Sequence, residues 1–336
     1  MKKLSLYILT CAMVLTSCSN WLQEEPKSFD DGSIRTEVQA QARVNRLYRN
    51  GAPTQISSTG AYRGGNYSCN SFLTGYYSSS YEGQELDIYA TRTLTRQNNT
   101  NDVCVRMTHN VWTSCFREIN VANTAIKSIG ELPQTPALRT LIAEAKFFRA
   151  FNYFHLVKTF GGVPINTVPT EELGVGNKPR DTAEAVYELV EKDLKEAIEV
   201  LPANSMINNG NRVGKSTAQT LLADVYMQQG KKDEARPVLA AIVNSGDYSL
   251  VQGTDMDENS YINILRTTDN TSETIYFVEY NANLSRMDRR TGNCFDDTME
   301  GAAQALNIYR LVIAPTEAYC AVYDPAADLR IQNKQF

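Results

Sequence analysis

The sequence predicts an all-α protein in which tetratricopeptide-like helical hairpins form a scaffold, decorated by long irregular loops and a short β segment. Three observations support this prediction. Apolar residues recur every three or four positions over long stretches, the segment 215–248 fits a repeat-hairpin template, and residues 51–101 are rich in Gly, Ser, Thr, Asn and Tyr. The first pattern is typical of helices with one buried face, and the last is typical of a long loop.

The N-terminus has the pattern of an export signal. Lys2 and Lys3 precede a mostly apolar run from Leu4 to Leu15. This run is shorter than the roughly 20 apolar residues that a membrane-spanning helix needs, so it suits a cleaved signal better than a permanent anchor. The sequence therefore predicts a signal peptide at 1–17, with a buried N-terminal helix of a cytosolic protein as the alternative.

The stretch Leu15-Thr16-Ser17-Cys18 resembles the bacterial lipobox, in which cleavage before the cysteine leaves its thiol and amine to carry acyl chains. Several acyl chains make membrane attachment stable. The polar residues 18–31 would then form a lipidated tether, and residues 32–336 would form one α-helical domain. Cys18 is accordingly the predicted lipidation site.

The charge of the chain argues against nucleic acid as a partner. Loss of Lys2 and Lys3 with the signal would leave 31 basic residues against 38 acidic ones, a net charge of −7. Binding to a phosphate backbone needs clusters of basic residues. The hydrophobic content of 42% is ordinary for a globular body.

Apolar spacing predicts the N-terminal helices in order. A short helix contains Val38, Ala42 and Leu47, a longer one contains Val111, Cys115, Ile119, Ala122 and Ile126, and a third runs through Leu138, Leu141, Phe148, Phe151, Phe154 and Val157 to Gly161-Gly162. Each pattern predicts one buried face. Pro164 beyond the glycines supports the third helix end.

Three further helices are predicted. One runs from Thr182 to Leu201 with Asp181 as its predicted N-cap, and two others, 215–229 and 232–245, are joined by a short turn at Gly230. The tetratricopeptide template matches the last pair at Leu222, Ala223, Tyr226, Ala235 and Leu239. Tetratricopeptide-like units are therefore predicted at about 137–201 and 215–248, with a generic hairpin as the alternative, and a short strand is predicted within Ile275–Tyr280.

Motifs for catalysis or metal binding are missing from the sequence. His109 and His155 lack metal-ligand spacing, and the sequence contains neither an HExxH nor a GxSxG pattern. Glu82, Glu85 and Asp87 could serve a glycosidase in principle, but surface carboxylates are the simpler interpretation in an acidic chain. No catalytic residue, metal or cofactor is therefore predicted.

Five cysteines remain outside the signal and the lipidation site: Cys69, Cys104, Cys115, Cys294 and Cys320. Cys104 and Cys115 fall in one predicted helix, roughly 16 Å apart along its axis, which is too far for a disulfide. Small buried hydrophobic residues are the favoured interpretation of most of these cysteines, and their pairing is left open.

The tyrosine-rich loop at 51–101 is the candidate ligand site. A tyrosine ring has an apolar face for stacking on a sugar ring, and amide or guanidinium groups can bind the sugar hydroxyls. The alternative is that the rings only pin the loop onto the helices. The candidate ligand-binding residues are Tyr76, Tyr77, Tyr81, Tyr89, Arg92 and Asn98.

Four stretches together resemble the SusD/RagB family of outer-membrane lipoproteins from Bacteroidota. The stretch "CSNWLQEEP" resembles the segment that follows the family's lipid-bearing cysteine, and "WTSCFREINVANTAI" is similar to its Trp-to-Asn signature helix. The stretch "AEAKFFRAFNYFHLVKTFGGVP" is similar to the family's most recognisable motif, and "NRVGKSTAQTLLADVYM" is similar to a repeat helix. Relatives run beyond the landmark resembled by "YDPAADLR", so the resemblance implies that the C-terminal part of the family is missing.

The resemblance implies a function without catalysis. Members bind nutrient oligosaccharides, or in some cases peptides, on the outer face of the outer membrane and pass them to a SusC-like TonB-dependent transporter. The expected location is the cell outer membrane, lipid-anchored through Cys18 and facing the exterior. A scaffold of the transporter complex that binds no glycan, and a surface enzyme acting on glycans, are the alternatives.

Overall fold

The computed structural model of the chain describes residues 34–50, 74–78, 102–170, 178–203, 207–251, 271–277, 314–315 and 321–322. The chain divides into two units, Met1–Ile34 and Arg35–Phe336. All contacts discussed below lie within the second unit.

Helices account for most of the described residues. They are α1 (Glu37–Asn50), α2 (Asp102–Gly130), α3 (Pro136–Phe160), α4 (Ala183–Val200), α5 (Lys215–Gln228) and α6 (Lys232–Val243), with a short 3-10 turn at Ile207–Asn209. Each helix lies where the apolar spacing predicts one, and the last three end one or two residues earlier than predicted. The all-α prediction is confirmed.

Helices α2, α3 and α4 run antiparallel in succession. The ring of Trp112 on α2 meets that of Phe160 on α3, whereas Phe116, one turn further along α2, meets Tyr153, which precedes Phe160 on α3. The same reversal relates α3 to α4, where the partners are Lys146 with Glu196 and Arg149 with Asp193. Neighbouring antiparallel helices are what short helical repeats produce. The division into repeat units at 137–201 and 215–248 stays a prediction.

Helix α3 is the central element of the fold. Its N-terminus is capped by Thr135, whose Oγ1 accepts a hydrogen bond from the Leu138 N–H at 3.2 Å, and Pro136 occupies the first turn, where a missing N–H costs nothing. Gly161 ends the helix with a φ of 70°, a conformation that favours glycine. Most α3 residues between its caps are buried, which agrees with its packing against both α2 and α4.

The N-cap of α4 differs from the prediction. Thr182, and not Asp181, accepts the capping hydrogen bond, from the Ala185 N–H at 3.2 Å. The carboxylate of Asp181 accepts instead from the Ile165 N–H at 2.7 Å and so holds the segment that follows α3. The prediction was wrong because the position of Ile165, which recruits Asp181, depends on tertiary structure.

The buried face of α1 also differs from the prediction. Ala40, Val44 and Leu47 are fully buried, while Val38 is 78% exposed. Ala42 is exposed as well. The buried face is set by contact with α2 and α3, and it uses the residues at spacings of four and three that begin at Ala40.

The α5–α6 hairpin fits the repeat template at most positions. Leu222, Ala223, Tyr226 and Ala235 are buried, and Gly230 makes the turn with a φ of 76°. Leu239, however, is 42% exposed. Among the described helices α6 packs chiefly against α5, and Leu239 is left partly exposed.

Two very short strands pair antiparallel, β1 (Tyr77–Ser78) with β2 (Ala314–Pro315). The strand predicted within Ile275–Tyr280 is described only over 275–277, and those three residues are not in a strand. The remaining part, 278–280, lies outside the described residues.

Candidate functional site

Of the predicted ligand-binding residues, the structure describes Tyr76 and the backbone of Tyr77. Tyr76 is 43% exposed and follows a turn in which Gly75 has a φ of 78°. Its N–H donates to Thr74 Oγ1 at 3.1 Å, and Tyr77 pairs with Pro315 in the strand ladder. The other candidates lie outside the described residues, together with the predicted lipidation site: Tyr81, Tyr89, Arg92, Asn98 and Cys18.

A buried ion pair joins α3 to α4. The guanidinium of Arg149 donates two hydrogen bonds of 2.7 Å to the carboxylate of Asp193, and a third of 2.9 Å to Asn123 Oδ1 on α2. The side chains of Arg149 and Asp193 are 8% and 1% exposed. Burial alone would lower the pKa of Arg149, but the hydrogen bonds and charge of Asp193 outweigh it and the pKa is raised. Arg149 thus fixes the relative positions of three helices.

The same polar cluster fastens the segment 163–170. Asn123 Nδ2 donates to the carbonyls of Asn166 and Val168 at 2.9 and 3.0 Å. The hydroxyl of Tyr153 accepts from the Asn166 N–H at 2.7 Å and donates to the Asn166 carbonyl at 3.0 Å. Burial raises the pKa of Tyr153 to about 12, so the hydroxyl keeps its proton and can donate. This segment is therefore held by buried helix side chains.

A second polar cluster joins α1 to the start of α5. Arg212 forms a two-pronged ion pair with the buried carboxylate of Glu144 and donates to Asn45 Oδ1 at 2.7 Å. Its guanidinium lies 4.7 Å from the ring centroid of Tyr48, whose hydroxyl accepts from the Val213 N–H at 3.0 Å. Burial raises the pKa of Glu144, and the hydrogen bonds from Arg212 oppose that rise. Arg212 belongs to the stretch "NRVGKSTAQTLLADVYM" and Glu144 to "AEAKFFRAFNYFHLVKTFGGVP", so these two charged residues have a structural role here.

The candidate functional site is a cleft of about 510 Å³ between α3, α5 and the segment 271–276. It exists because α3 and α5 each pack closely on α4 and only slightly on one another. The lining residues are Phe147, Phe151, Thr217, Thr220, Leu221, Asp224, Thr271, Glu273, Thr274, Ile275 and Tyr276. The volume falls within the roughly 300–1,000 Å³ that is typical of small-molecule pockets.

Three aromatic rings form the apolar part of this cleft. The ring centroids of Phe147 and Phe151 are 6.4 Å apart, as are those of Phe147 and Tyr276. Phe147 is buried, while Phe151 and Tyr276 are half-buried. Partly exposed rings beside a cleft can contact a ligand with an apolar face.

Hydrogen bonds hold the segment 271–276 against α5. Thr217 Oγ1 donates to the Ile275 carbonyl at 3.3 Å, and the hydroxyls of Thr271 and Thr274 are 3.0 Å apart. The carboxylate of Glu273 accepts from the Val251 N–H at 2.6 Å. This wall of the cleft is therefore held by Thr217 on α5 and by Val251, eight residues beyond the end of α6.

The charged groups among the described lining residues of the cleft are acidic. Asp224 and Glu273 are the ionisable carboxyl groups among its lining residues, and none of the described lining residues is Lys, Arg or His. Lys158, outside the lining, lies 3.7 Å from Asp224, and both side chains of that pair are substantially exposed. Within the described ranges, no group of three or more His, Cys, Asp or Glu side chains is placed to hold a metal ion.

Sequence reasoning missed this cleft because it assigned Phe151 to the buried face of a helix and Ile275 and Tyr276 to a strand. Phe147 and Phe151 are spaced as i and i+4 on α3, and Thr217, Thr220, Leu221 and Asp224 share one face of α5. A mixed stripe of threonines and one carboxylate on a repeat helix is the sequence signal that could have indicated it.

The helices that the structure describes include none with the length and apolar character of a membrane span.

Comparisons with known proteins agree with this architecture. A protein-family model described as SusD-like, "Starch-binding associating with outer membrane", matches residues 20–227. SusD-like protein P2 of Formosa agariphila is 26% identical over 253 residues, which cover 73% of this chain and 47% of that protein. The chain spans about half the length of the curated relatives it matches.

Solved structures resemble the chain in fold. A SusD superfamily protein from Parabacteroides distasonis has a TM-score of 0.72 at 21% identity, over 87% of this chain and 60% of that one. A laminarin-binding SusD-like protein has a TM-score of 0.57 at 25% identity, over 72% of this chain and 51% of that one. The family match covers more than half of the chain, and the helical frame agrees with it. The chain belongs to the SusD-like family.

Proposed function

We propose that the chain is a cell-surface lipoprotein that binds nutrient oligosaccharides and passes them to a SusC-like TonB-dependent transporter. The observation that carries the proposal is the match of residues 20–227 to a family described as starch-binding and associated with the outer membrane. A laminarin-binding protein among the structural relatives supports a carbohydrate ligand. The proposal includes no catalytic step.

The tyrosine-rich loop is the proposed oligosaccharide site. Tyr76 supports it, since the residue is 43% exposed and an exposed tyrosine can stack on a sugar ring. Its neighbours Tyr77, Tyr81 and Tyr89 would add further rings, and Arg92 and Asn98 would bind hydroxyl groups.

Calorimetric titration of the purified chain against neutral oligosaccharides tests this site. Replacing Tyr76, Tyr77 and Tyr81 together by Ala should weaken binding by at least about tenfold, because each aromatic contact contributes a substantial fraction of 1 kcal/mol or more. Tyr248→Ala, a half-buried tyrosine beyond α6, is the matched control and should bind like the wild type. Unchanged affinity in the triple variant would exclude the loop as the site.

Membrane attachment is proposed to occur through Cys18. Mass spectrometry of the native protein should find an acylated Cys18 at the N-terminus, and Cys18→Ser should release the protein from the membrane fraction. A chain that still carries Met1, or an unmodified Cys18, would contradict this assignment.

Transfer to a transporter is tested by purification from the native membrane. The chain should co-purify with a TonB-dependent transporter, and its deletion should slow growth on the glycan that it binds. Co-purification without binding of any glycan would favour the scaffold alternative. Release of reducing ends by the purified chain would favour an enzyme.

A further inference from the structure

We propose that the cleft between α3, α5 and the segment 271–276 is a second carbohydrate site, which binds an uncharged sugar unit and excludes acidic sugars. The choice of a sugar as ligand rests on the proposed function, whereas the preference for a neutral ligand rests on the cleft itself. The described lining residues of the cleft lie on α3, on α5 and in the segment 271–276, and they include none of the candidate residues of the tyrosine-rich loop.

The aromatic rings of the cleft suit one face of a sugar. Phe151 and Tyr276 are half-buried, so part of each ring is covered by the frame and part borders the cleft. Phe147, also in the lining, is buried, and its ring centroid lies 6.4 Å from each of theirs. An amphipathic ligand with an apolar C–H face can replace water at such rings, and its polar edge must then meet polar groups of the cleft.

Those polar groups are mainly hydrogen-bond acceptors. Thr220 Oγ1 donates its proton to the Ser216 carbonyl at 2.9 Å, so toward a ligand its oxygen can only accept. Asp224 and Glu273 are carboxylates, and the contact of Glu273 with the Val251 N–H at 2.6 Å leaves further lone pairs on its oxygens. A ligand rich in hydroxyl donors satisfies this arrangement, and hydrogen bonds to charged acceptors are the stronger kind.

Charge decides between neutral and acidic sugars. The lining contains two carboxylates and, among its described residues, no basic side chain. Lys158 lies 3.7 Å from Asp224 and offsets part of its charge, but Glu273 has its described contact with a backbone N–H. A uronate or sulfate group would bring like charge to the cleft, where the described lining has no basic side chain to balance it, and such juxtaposition opposes binding.

A substitution at the cleft rim tests the site. Thr220 is exposed, so Thr220→Trp should add a ring that blocks the cleft without disturbing the core. Gln228→Trp, an exposed residue of the same helix outside the lining, is the matched control. In calorimetric titrations of the full chain with neutral glucose oligosaccharides, Thr220→Trp should weaken one of the two classes of site by at least about tenfold. Gln228→Trp should keep both classes of site at their wild-type affinity.

The outcomes separate the two proposals. If the wild type binds sugar and Thr220→Trp binds it with the same affinity and number of sites, the second site is wrong and the proposed function stands. If the wild type binds no neutral oligosaccharide, the second site is wrong, and if it binds no oligosaccharide of any charge, both proposals are wrong. If a simple amine binds at a site that Thr220→Trp blocks, and a neutral sugar does not, the assignment of the cleft to a carbohydrate is also wrong.

A second variant tests the charge argument. Asp224→Asn combined with Glu273→Gln keeps the shape of the cleft and removes both negative charges. Neutral sugar should then bind more weakly at this site, and oligogalacturonate, which the wild-type cleft excludes, should gain affinity by about tenfold as the like-charge repulsion is lost. Wild-type binding of oligogalacturonate that Thr220→Trp blocks would overturn the proposed selectivity.

Discussion

Asp193→Ala should destabilise the chain severely, because it leaves the guanidinium of Arg149 buried without its counter-charge. The two side chains are 1% and 8% exposed, and two hydrogen bonds of 2.7 Å join them. Removing one partner of a buried ion pair typically costs about 3–5 kcal/mol. After the change, the described anchors of Arg149 would include Asn123 Oδ1 at 2.9 Å, which carries no charge.

The same two helices offer a matched control. Lys146 on α3 pairs with Glu196 on α4, and their side chains are 23% and 39% exposed. Exposed or partly exposed pairs typically contribute about 0–1 kcal/mol, so Glu196→Ala should have a small effect. Urea unfolding, followed by far-UV circular dichroism, measures the free energy of unfolding of both variants. The slope of that free energy against urea concentration should be the same in both, which shows that the two variants expose a similar surface on unfolding.

A double variant separates the cost of the unpaired charge from the loss of contacts. Arg149→Leu with Asp193→Leu removes both charges and leaves Asn123 Oδ1 without this donor, which costs about 1–3 kcal/mol. It should therefore be more stable than Asp193→Ala alone. The reasoning is refuted if Asp193→Ala costs no more than Glu196→Ala, or if the double variant is the least stable of the three.

Three other predictions concern buried groups. Burial lowers the pKa of His155 to about 4, against about 6.5 in an unfolded chain, so the unfolded state binds the proton more readily. This histidine should therefore lower the free energy of unfolding by on the order of 3 kcal/mol between pH 6.5 and pH 4. Urea titrations at both pH values should show that His155→Phe removes this contribution. Burial raises the pKa of Cys115 to about 12, so iodoacetamide at pH 8 should label this thiol only in denaturant, and peptide mapping that finds it alkylated in the folded chain would contradict the structure. A Cβ at Gly162 would lie 2.1 Å from the Asp181 carbonyl oxygen, so Gly162→Ala should cost about 1–3 kcal/mol, whereas Gly130→Ala, which meets nothing within 4 Å, should leave the unfolding midpoint unchanged or slightly higher.

The helices could be predicted from the sequence because their signals are local. Apolar spacing and the glycines at 161–162 are sufficient to end α3 at Phe160, since a positive φ at Gly161 stops the helix whatever surrounds it. The cap of α4 could not be predicted in this way. Asp181 and Thr182 are both good N-cap residues, and the choice was made by the Ile165 N–H, which binds Asp181 from across a 16-residue separation.

The cleft was not predictable because it depends on the distance between helices. Phe151 has the spacing of a core residue on α3, and only the separation of α3 from α5 leaves it half-buried. The buried pair has the same limitation, since Arg149 and Asp193 are 44 residues apart and the chain contains many other carboxylates. The tyrosine-rich loop was chosen from composition, and all six of its candidate ligand-binding residues stay predictions.

The contacts of α1 have a consequence for the order of folding. Asn45 bonds to Arg212 and Tyr48 bonds to Val213, over separations of 167 and 165 residues. A ribosome that adds roughly 5–20 residues per second therefore makes α1 on the order of ten seconds or more before its partners exist. Ala40, Val44 and Leu47 gain their partners on α2 and α3 earlier, once residues up to 160 have been made. Because non-local contacts form slowly relative to local helices, α1 is the element that we expect to complete its polar contacts last.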